Sequence, residues 1–259
     1  MHTNMDLHFS QVAREYRGLR TTDSEPIDYI VSKLNGVKKL VGADIGCGAG
    51  RYSLMLCQAL GKRFSLFCCD RSTEMLRELE KHMQSNGMQR FTVVNSSSEK
   101  IPLDIDTLGA LFTFNAIHHF SPIGFFQECS RLLLGDGQLF AYTRLREQNS
   151  RNIWGKYFPG FHKRETRLYQ QGEIEKELSK VSSLKLNSVT KFHYQRSESL
   201  DQLVRLVKQR HYSTFSLYND AELADALSKF EDNIRNEFSD TTNVCWEDEN
   251  IMYHISNQN

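Results

Sequence analysis

The sequence predicts an α/β fold, and three observations support that prediction. Apolar runs of strand length alternate with amphipathic segments of helix length, as in a sheet covered by helices. The first clear run, residues 40–45, ends in a turn with alternating Gly46, Gly48 and Gly50. The length of 259 residues, with 39% hydrophobic and 25% charged residues, fits one globular domain.

Residues 1–36 are predicted to form a helical leader of two helices. Apolar residues at helical spacing mark the first helix, with Tyr16 and Arg20 towards its end. The second helix begins after a capped start at residues 21–26 and stops at Gly36. A role in a cleft is one interpretation of Tyr16 and Arg20. An equally good one is that Tyr16 packs against its neighbours and Arg20 is a surface charge.

The glycine turn lies between the first strand and a helical pattern, and Asp44 lies just before it. Alternating glycines allow positive φ and lack the Cβ atoms that would keep a ligand away from the main chain. The following helix start directs free N–H groups to the same place. The spacing is G-x-G-x-G, not the G-x-G-x-x-G of dinucleotide-binding proteins. A carboxylate here also repels a pyrophosphate and attracts an ammonium or sulfonium group.

The second strand, residues 64–69, is followed by Asp70. A carboxylate has two acceptor oxygens, so Asp70 can accept both ribose hydroxyls of an adenosine. It follows Gly50 by twenty residues, as that geometry requires. Asp70 can alternatively cap the next helix, and the two roles are compatible.

The third and fourth strands are predicted at residues 91–94 and 108–114. The fourth leads into Asn115 and the adjacent His118 and His119. Because neighbouring side chains point in different directions, we expect at most one histidine to face a cleft. For either histidine alone, packing is as good an interpretation as chemistry.

Motifs at successive strand ends resemble those of the class I S-adenosylmethionine-dependent methyltransferases, especially the small-molecule group called type 11. Residues 44–50 read D-I-G-C-G-A-G, like motif I, and residues 70–76 resemble D-x-S-x-x-M-L. Residues 95–103 resemble G-D-A-E-x-L-P-F, with Ser97 in place of the usual Asp. Residues 125–140 resemble E-x-x-R-x-L-x-P-G-G-x-L. The resemblance implies a Rossmann-like class I methyltransferase fold: a mostly parallel seven-stranded sheet, helices on both faces and a helical cap.

The resemblance implies S-adenosylmethionine as the cofactor and gives a role to each motif. The glycine loop would contact its methionine and ribose parts, and Asp70 its ribose hydroxyls. Met75 would pack on the adenine, and Ser98 would offer a backbone N–H. Ser97 would accept from the adenine amino group without the charge of an Asp. The implied cofactor-binding residues are Asp44, Gly46, Cys47, Gly48, Gly50, Asp70, Arg71, Met75, Ser97, Ser98 and Asn115.

The acceptor side is expected to include the leader, the fourth strand end, a basic aromatic segment and a helical insertion. A hydroxyl, amine or carbon acid needs a base, for which His118 or His119 is the catalytic candidate; a thiol or carboxylate needs none. The candidate substrate-binding residues are Tyr16, Arg20, Arg144 and Trp154. An excess of cations there favours a small, anionic acceptor.

The later chain predicts further elements. The predictions are a helix from residue 173, a strand at 184–194, helices at 199–207 and 220–238, and a closing strand at 244–255. We divide a single methyltransferase domain, residues 1–259, into the leader 1–36, an α/β core of 37–195 and 243–256, and a helical insertion 197–239. The insertion is expected to cap the substrate side; covering a sheet face or forming a dimer contact is the alternative.

Charge argues against nucleic acid as a partner, because the formal net charge is zero. Residues 144–167 hold seven Lys or Arg against two acids, whereas residues 231–249 hold seven acids against one Arg. Two solvated faces are the simplest interpretation of this imbalance. Aromatic residues among those cations can stack on bases, but a lid over the substrate is favoured.

The remaining features indicate a cytoplasmic protein without a membrane span or metal site. The six cysteines lack metal-ligand spacing, and no apolar run reaches a signal core or a span. The partner expected is a small-molecule substrate, and the sequence leaves the oligomeric state open. A cofactor-binding protein or interaction module without transfer activity is the alternative function, and an RNA methyltransferase is a less favoured one.

Overall fold

A computed structural model describes residues 22–259 of the chain. These residues contain seven strands: β1 (Leu40–Ile45), β2 (Phe64–Asp70), β3 (Phe91–Asn95), β4 (Leu108–Phe114), β5 (Leu133–Thr143), β6 (Leu184–Glu198) and β7 (Val244–Asn257). They also contain ten α-helices: α1 (Glu25–Lys33), α2 (Arg51–Leu60), α3 (Thr73–Ser85), α4 (Pro122–Leu132), α5 (Arg146–Arg151), α6 (Ile153–Tyr157), α7 (Phe161–Arg164), α8 (Glu173–Leu178), α9 (Leu200–Lys208) and α10 (Asp220–Glu237).

The strands form one sheet in the order β3-β2-β1-β4-β5-β7-β6. The first five pair in parallel, and β7 pairs antiparallel to β5. The central strands β1 and β4 are almost entirely buried, as expected when helices cover both faces of a parallel sheet. The predicted mostly parallel, seven-stranded sheet is therefore confirmed.

Most predicted elements agree with the structure to within a few residues, and β5 shows the largest local difference. The resemblance of residues 125–140 implies a helix, a turn with Gly135 and Gly137 and then a fifth strand, but β5 already begins at Leu133, so this turn lies inside the strand. The pairing with β4 shifts there, from Leu108 opposite Leu133 to Ala110 opposite Gln138. β5 thus has extra residues opposite β4, and they form a local irregularity in the strand pairing, which the glycines of this segment permit.

The described residues divide into two compact units. The sheet unit comprises residues 22–143, 172–190 and 251–259, and the helical unit comprises residues 144–171 and 191–250. The predicted boundaries at 37–195, 243–256 and 197–239 stay a prediction.

The helical unit has its own aromatic core. Trp154 stacks on Phe230 with ring centroids 5.3 Å apart and meets Phe215 edge-on at 5.4 Å. Two of its helices, α9 and α10, begin with side-chain capping: Ser199 accepts from the Gln202 N–H, and Asn219 and Glu222 form a capping box. Among residues 22–259, no helix is long and apolar enough to cross a bilayer.

Candidate active site

Three strand ends bring the predicted polar residues to one edge of the sheet unit. Asp44 pairs in register with Cys68 and Asp70 with Asn95, while Phe114, at the end of β4, pairs with Tyr142. Because these strands are parallel, their carboxyl ends meet at the same edge, where open α/β sheets bind ligands. The glycine loop, residues 46–50, lies at this edge.

The glycine loop needs glycine for both conformation and space. Gly46, Gly48 and Gly50 have φ values of 72°, 52° and 82°. A Cβ at Gly46 would lie 2.6 Å from the Ala116 Cβ, and one at Gly50 would lie 2.8 Å from the Leu79 Cγ. The loop therefore packs tightly behind its outer surface, and a residue with a Cβ would displace it.

Asp70 holds the loop through its carboxylate. Oδ2 accepts the Gly48 N–H at 2.9 Å, and Oδ1 accepts the Ser72 N–H at 2.8 Å. Burial raises the pKa of Asp70, while these two hydrogen bonds oppose the rise. The side chain that caps α3 is Ser72, which accepts from the Met75 N–H. The Arg71 backbone also donates to this carboxylate. Since a carboxylate accepts about four hydrogen bonds, Asp70 keeps acceptor capacity for a ribose hydroxyl.

Asp44 is a buried carboxylate at the end of β1, with 1% of its surface exposed. Its Oδ2 accepts from the Ser53 hydroxyl at 2.6 Å, whereas its Oδ1 has no hydrogen-bond partner among the described residues. Burial raises the pKa of Asp44 to about 7, although the Ser53 hydrogen bond opposes the rise. A buried acceptor without a donor fits a cationic ligand group that supplies one.

The raised pKa predicts how stability depends on pH. Because the folded-state pKa lies above the unfolded value, Asp44 stabilises the fold when protonated, and this contribution is lost as pH rises towards about 7. The free energy of unfolding should then fall by at most about 1.4 kcal/mol per pH unit between about pH 4 and 7. Asp44→Asn should remove this part of the pH dependence. Urea unfolding of both ligand-free proteins from about pH 5 to 8 tests this, and identical pH profiles would contradict it.

The remaining loop residue, Cys47, is not a nucleophile. Its side chain is half-buried, and its backbone N–H donates to the Cys69 carbonyl at 3.1 Å. Burial and the neighbouring Cys68 raise the pKa of the Cys47 thiol well above its usual value. A thiol that stays protonated at neutral pH is a poor nucleophile and metal ligand. Within residues 22–259, no group of three His, Cys, Asp or Glu side chains is arranged to hold a metal ion.

The residues expected around an adenine lie on two neighbouring segments. Met75 is buried in the first turn of α3, and Arg71 is exposed before it. Ser97 is exposed and Ser98 buried, in a turn closed by a bridge between Ser97 and Lys100. This turn follows β3, which pairs with β2 as far as Asp70 and Asn95.

Asn115 and the two histidines follow β4. Asn115 has a φ of 54°, which asparagine tolerates, and its N–H donates to the Tyr142 carbonyl at 2.7 Å. His118 and His119 belong to a 3₁₀ turn, Ile117–His119. Their ring centroids are only 4.1 Å apart, so the rings contact each other instead of diverging. The expectation that at most one of the two histidines faces a cleft stays a prediction.

The residues expected to bind the acceptor are only partly described. Tyr16 and Arg20 lie outside residues 22–259. Arg144 is ion-paired with Asp248 at 3.2 Å and donates to the Asn250 side chain at 3.0 Å. Trp154 is buried in the aromatic core of the helical unit.

The basic and acidic segments identified in the sequence are joined by ion pairs inside the helical unit. The ion pairs in this unit that involve cations of residues 144–167 are Arg144–Asp248, Arg151–Glu249, Arg164–Glu222 and Arg167–Glu165. Two of them join residues 144–167 to residues 231–249, so these segments are not simply two solvated faces. Four of the seven Lys and Arg side chains of residues 144–167 are thus paired with a carboxylate, which lowers the positive charge that this segment offers to a polyanion.

Sequence reasoning missed the Ser53 contact with Asp44 and the role of Glu99. Ser53 lies in the first turn of α2, nine residues beyond Asp44, where no motif marks it. Glu99 belongs to the resembling segment 95–103, and its Oε1 accepts from the Ser121 N–H at 3.0 Å. Only the packed fold brings these partners together.

The chain matches a family model described as a methyltransferase domain over residues 43–137. That range contains the glycine loop, Asp70, the turn of Ser97 and Ser98, and the two histidines. It ends inside β5 and does not include the helical unit.

Solved structures are similar to this chain in fold over most of its length. A methyltransferase from an antibiotic biosynthesis pathway of Anabaena variabilis is 20% identical, with a TM-score of 0.68 over 91% of this chain and 98% of that chain. The geranyl diphosphate C-methyltransferase of Streptomyces coelicolor, solved with S-adenosyl-L-homocysteine, is 13% identical. Its TM-score is 0.57 over 90% of this chain and 76% of that chain. The class I methyltransferase fold expected from the motifs is thus confirmed.

A curated relative acts on RNA. The tRNA (carboxymethyluridine(34)-5-O)-methyltransferase of Mus musculus is 27% identical over 159 residues, or 59% of this chain. The match spans only 22% of the length of that mouse protein.

Proposed function

We propose that this chain, which matches a methyltransferase domain over residues 43–137 and has the class I methyltransferase fold, transfers the methyl group of S-adenosylmethionine to a small acceptor. The observation that carries the proposal is the pairing of two carboxylates, Asp44 and Asp70, with a glycine loop that has no room for a Cβ at Gly46 or Gly50. Carboxylates suit the ammonium, sulfonium and ribose hydroxyls of that cofactor and disfavour a pyrophosphate.

The cofactor would supply an electrophilic methyl group on its sulfonium. The chain's own task is then to align the donor with the acceptor and exclude water. Asp70 would hold the ribose, and Asp44 would face the ammonium through its unpartnered Oδ1. Gly46, Gly48 and Gly50 would let the backbone approach the methionine part, while Met75, Ser97 and Ser98 would surround the adenine.

For an acceptor that must lose a proton, His118 or His119 would act as the base. Their ring centroids lie 4.1 Å apart, so both rings occupy the same place just after β4. An anionic acceptor remains part of the proposal, but Arg144 is already paired with Asp248. Positive charge for the acceptor would therefore have to come from other residues, of which Arg20 is our candidate.

RNA methylation is a second candidate because the mouse relative acts on tRNA. The ion pairs of the helical unit weigh against it, since they lower the positive charge available to phosphates. We also propose a cytoplasmic location, since all six cysteines are free thiols, as is usual in a reducing compartment.

The experiment that separates these functions follows a labelled methyl group. Purified protein is incubated with methyl-labelled S-adenosylmethionine and cell extract, and the extract is then divided into small-molecule, RNA and protein fractions. We expect label in the small-molecule fraction, and much less with Asp70→Ala. Label in RNA would favour the second candidate, and no label in any fraction would favour a binding module.

A further inference from the structure

The connection between β3 and β4 is tied to the sheet unit at its start. We call residues 95–103 the serine turn segment. At its first residue the Asn95 side chain donates to the carbonyl oxygens of Asp70 and Arg71, at 3.1 and 3.0 Å. These bonds fix the segment beside the carboxylate proposed to hold the ribose.

Glu99 supplies a second tie, in the middle of the segment. Its Oε1 accepts from the Ser98 hydroxyl at 2.8 Å and from the Ser121 N–H at 3.0 Å. Ser121 is the N-cap residue of α4, but its own side chain makes no capping hydrogen bond. Glu99 thus satisfies the N–H of the N-cap residue, as the N3 glutamate of a capping box does. Partial burial opposes ionisation, yet the hydrogen bonds from Ser121 and Ser98 hold the pKa of Glu99 below its usual value.

Glu128 and Arg131 supply a third tie, at the end of the segment. The Glu128 carboxylate accepts the Ile101 N–H at 2.6 Å and pairs with Arg131 at 2.7 Å. The Arg131 guanidinium donates to the carbonyl oxygens of Ile101 and Leu103, both at 2.9 Å. The end of the segment is therefore clamped to the last turns of α4, independently of Glu99.

Glu99 is the tie closest to the histidines. Ser121 follows the 3₁₀ turn Ile117–His119 by two residues. Gly124 lets α4 lie close to Glu99, because a Cβ at this position would lie 2.9 Å from the Glu99 Cγ. One carboxylate thus connects Ser98 to the helix that follows the histidine turn.

We propose that Glu99 is a positioning residue, which holds Ser98 in place for the adenine ring and fixes its distance from the histidine turn. The inference rests on the proposed function, since it takes Ser98 as an adenine contact. Ser97 has no charge with which to bind the adenine amino group. Recognition of adenine therefore depends more on the backbone of the serine turn segment than on a charged side chain, and so on how firmly that backbone is held.

The test compares two ligands that differ only in the base. S-adenosylhomocysteine carries the adenine amino group, and S-inosylhomocysteine has an oxo group instead. We expect Glu99→Ala to weaken binding of the adenine ligand about tenfold in calorimetry and to weaken binding of the inosine ligand less. The ratio of the two dissociation constants, which measures the preference for adenine, should therefore move closer to one. Glu99→Gln keeps an oxygen acceptor and should stay within about threefold of the wild type. Glu80→Ala, at an exposed glutamate of α3, is the matched control and should change neither affinity.

Gly124→Ala is a second variant, in case Glu99→Ala fails to fold. Its Cβ should displace Glu99 while keeping the carboxylate, and it should narrow the base preference in the same direction. Unchanged binding in both variants would overturn the inference, and so would equal losses for the two ligands, which indicate a merely structural role. If the wild type bound neither ligand, the proposed function would fail first, so the two failures are distinguishable.

Discussion

Replacing Asp70 by alanine is expected to lower the affinity for S-adenosylhomocysteine about ten- to hundredfold. The substitution removes the proposed ribose acceptor and also the carboxylate that holds the N–H groups of Gly48 and Ser72. Hydrogen bonds to a charged group contribute about 1.5–3 kcal/mol, which corresponds to that loss. Isothermal titration calorimetry measures it directly.

Two further variants make the Asp70 result specific. Asp70→Asn keeps one acceptor oxygen but turns an NH₂ group towards a backbone N–H, so we expect an intermediate loss. Asp136→Ala removes an exposed aspartate of the same unit and should leave the affinity unchanged. Wild-type affinity in Asp70→Ala would contradict the assignment of the ribose site.

Replacing Gly46 by alanine is expected to destabilise the fold by about 2–5 kcal/mol. A positive φ costs an L-residue about 1–2 kcal/mol, and overpacking adds about 1–3 kcal/mol. The added Cβ would meet the Ala116 Cβ at 2.6 Å and the Phe120 Cζ at 2.9 Å. Urea unfolding measures the change in the free energy of unfolding.

Gly87 provides a matched control for Gly46. Both glycines have a φ of 72°, but a Cβ at Gly87 would meet nothing within 4 Å. Gly87→Ala should therefore show only the conformational cost, about 1–2 kcal/mol. Equal destabilisation of the two variants would show that the close packing behind the glycine loop is not a source of stability.

The parts of the site that the sequence predicted are those with a local signature. Gly46, Gly48 and Gly50 are needed because positive φ and close approach exclude other residues. Asp44 and Asp70 were found because each stands at the end of an apolar run, and parallel strands bring such ends together. The histidine turn was located for the same reason.

The parts that the sequence did not predict depend on contacts between distant segments. Arg144 looked like a free cation, but its partner Asp248 lies about a hundred residues away and comes close only in the folded helical unit. Trp154 looked like part of a lid, whereas it packs on Phe230 in a core. The contact between Ser98, Glu99 and Ser121 likewise joins two strand connections. Composition and spacing carry no information about such pairs.

The most direct test of the account is a calorimetric titration of the wild-type chain with S-adenosylmethionine, with NAD⁺ as the comparison ligand. The carboxylates Asp44 and Asp70 beside the glycine loop predict saturable binding of S-adenosylmethionine at one site and no binding of NAD⁺. Binding of NAD⁺ without binding of S-adenosylmethionine would contradict the account.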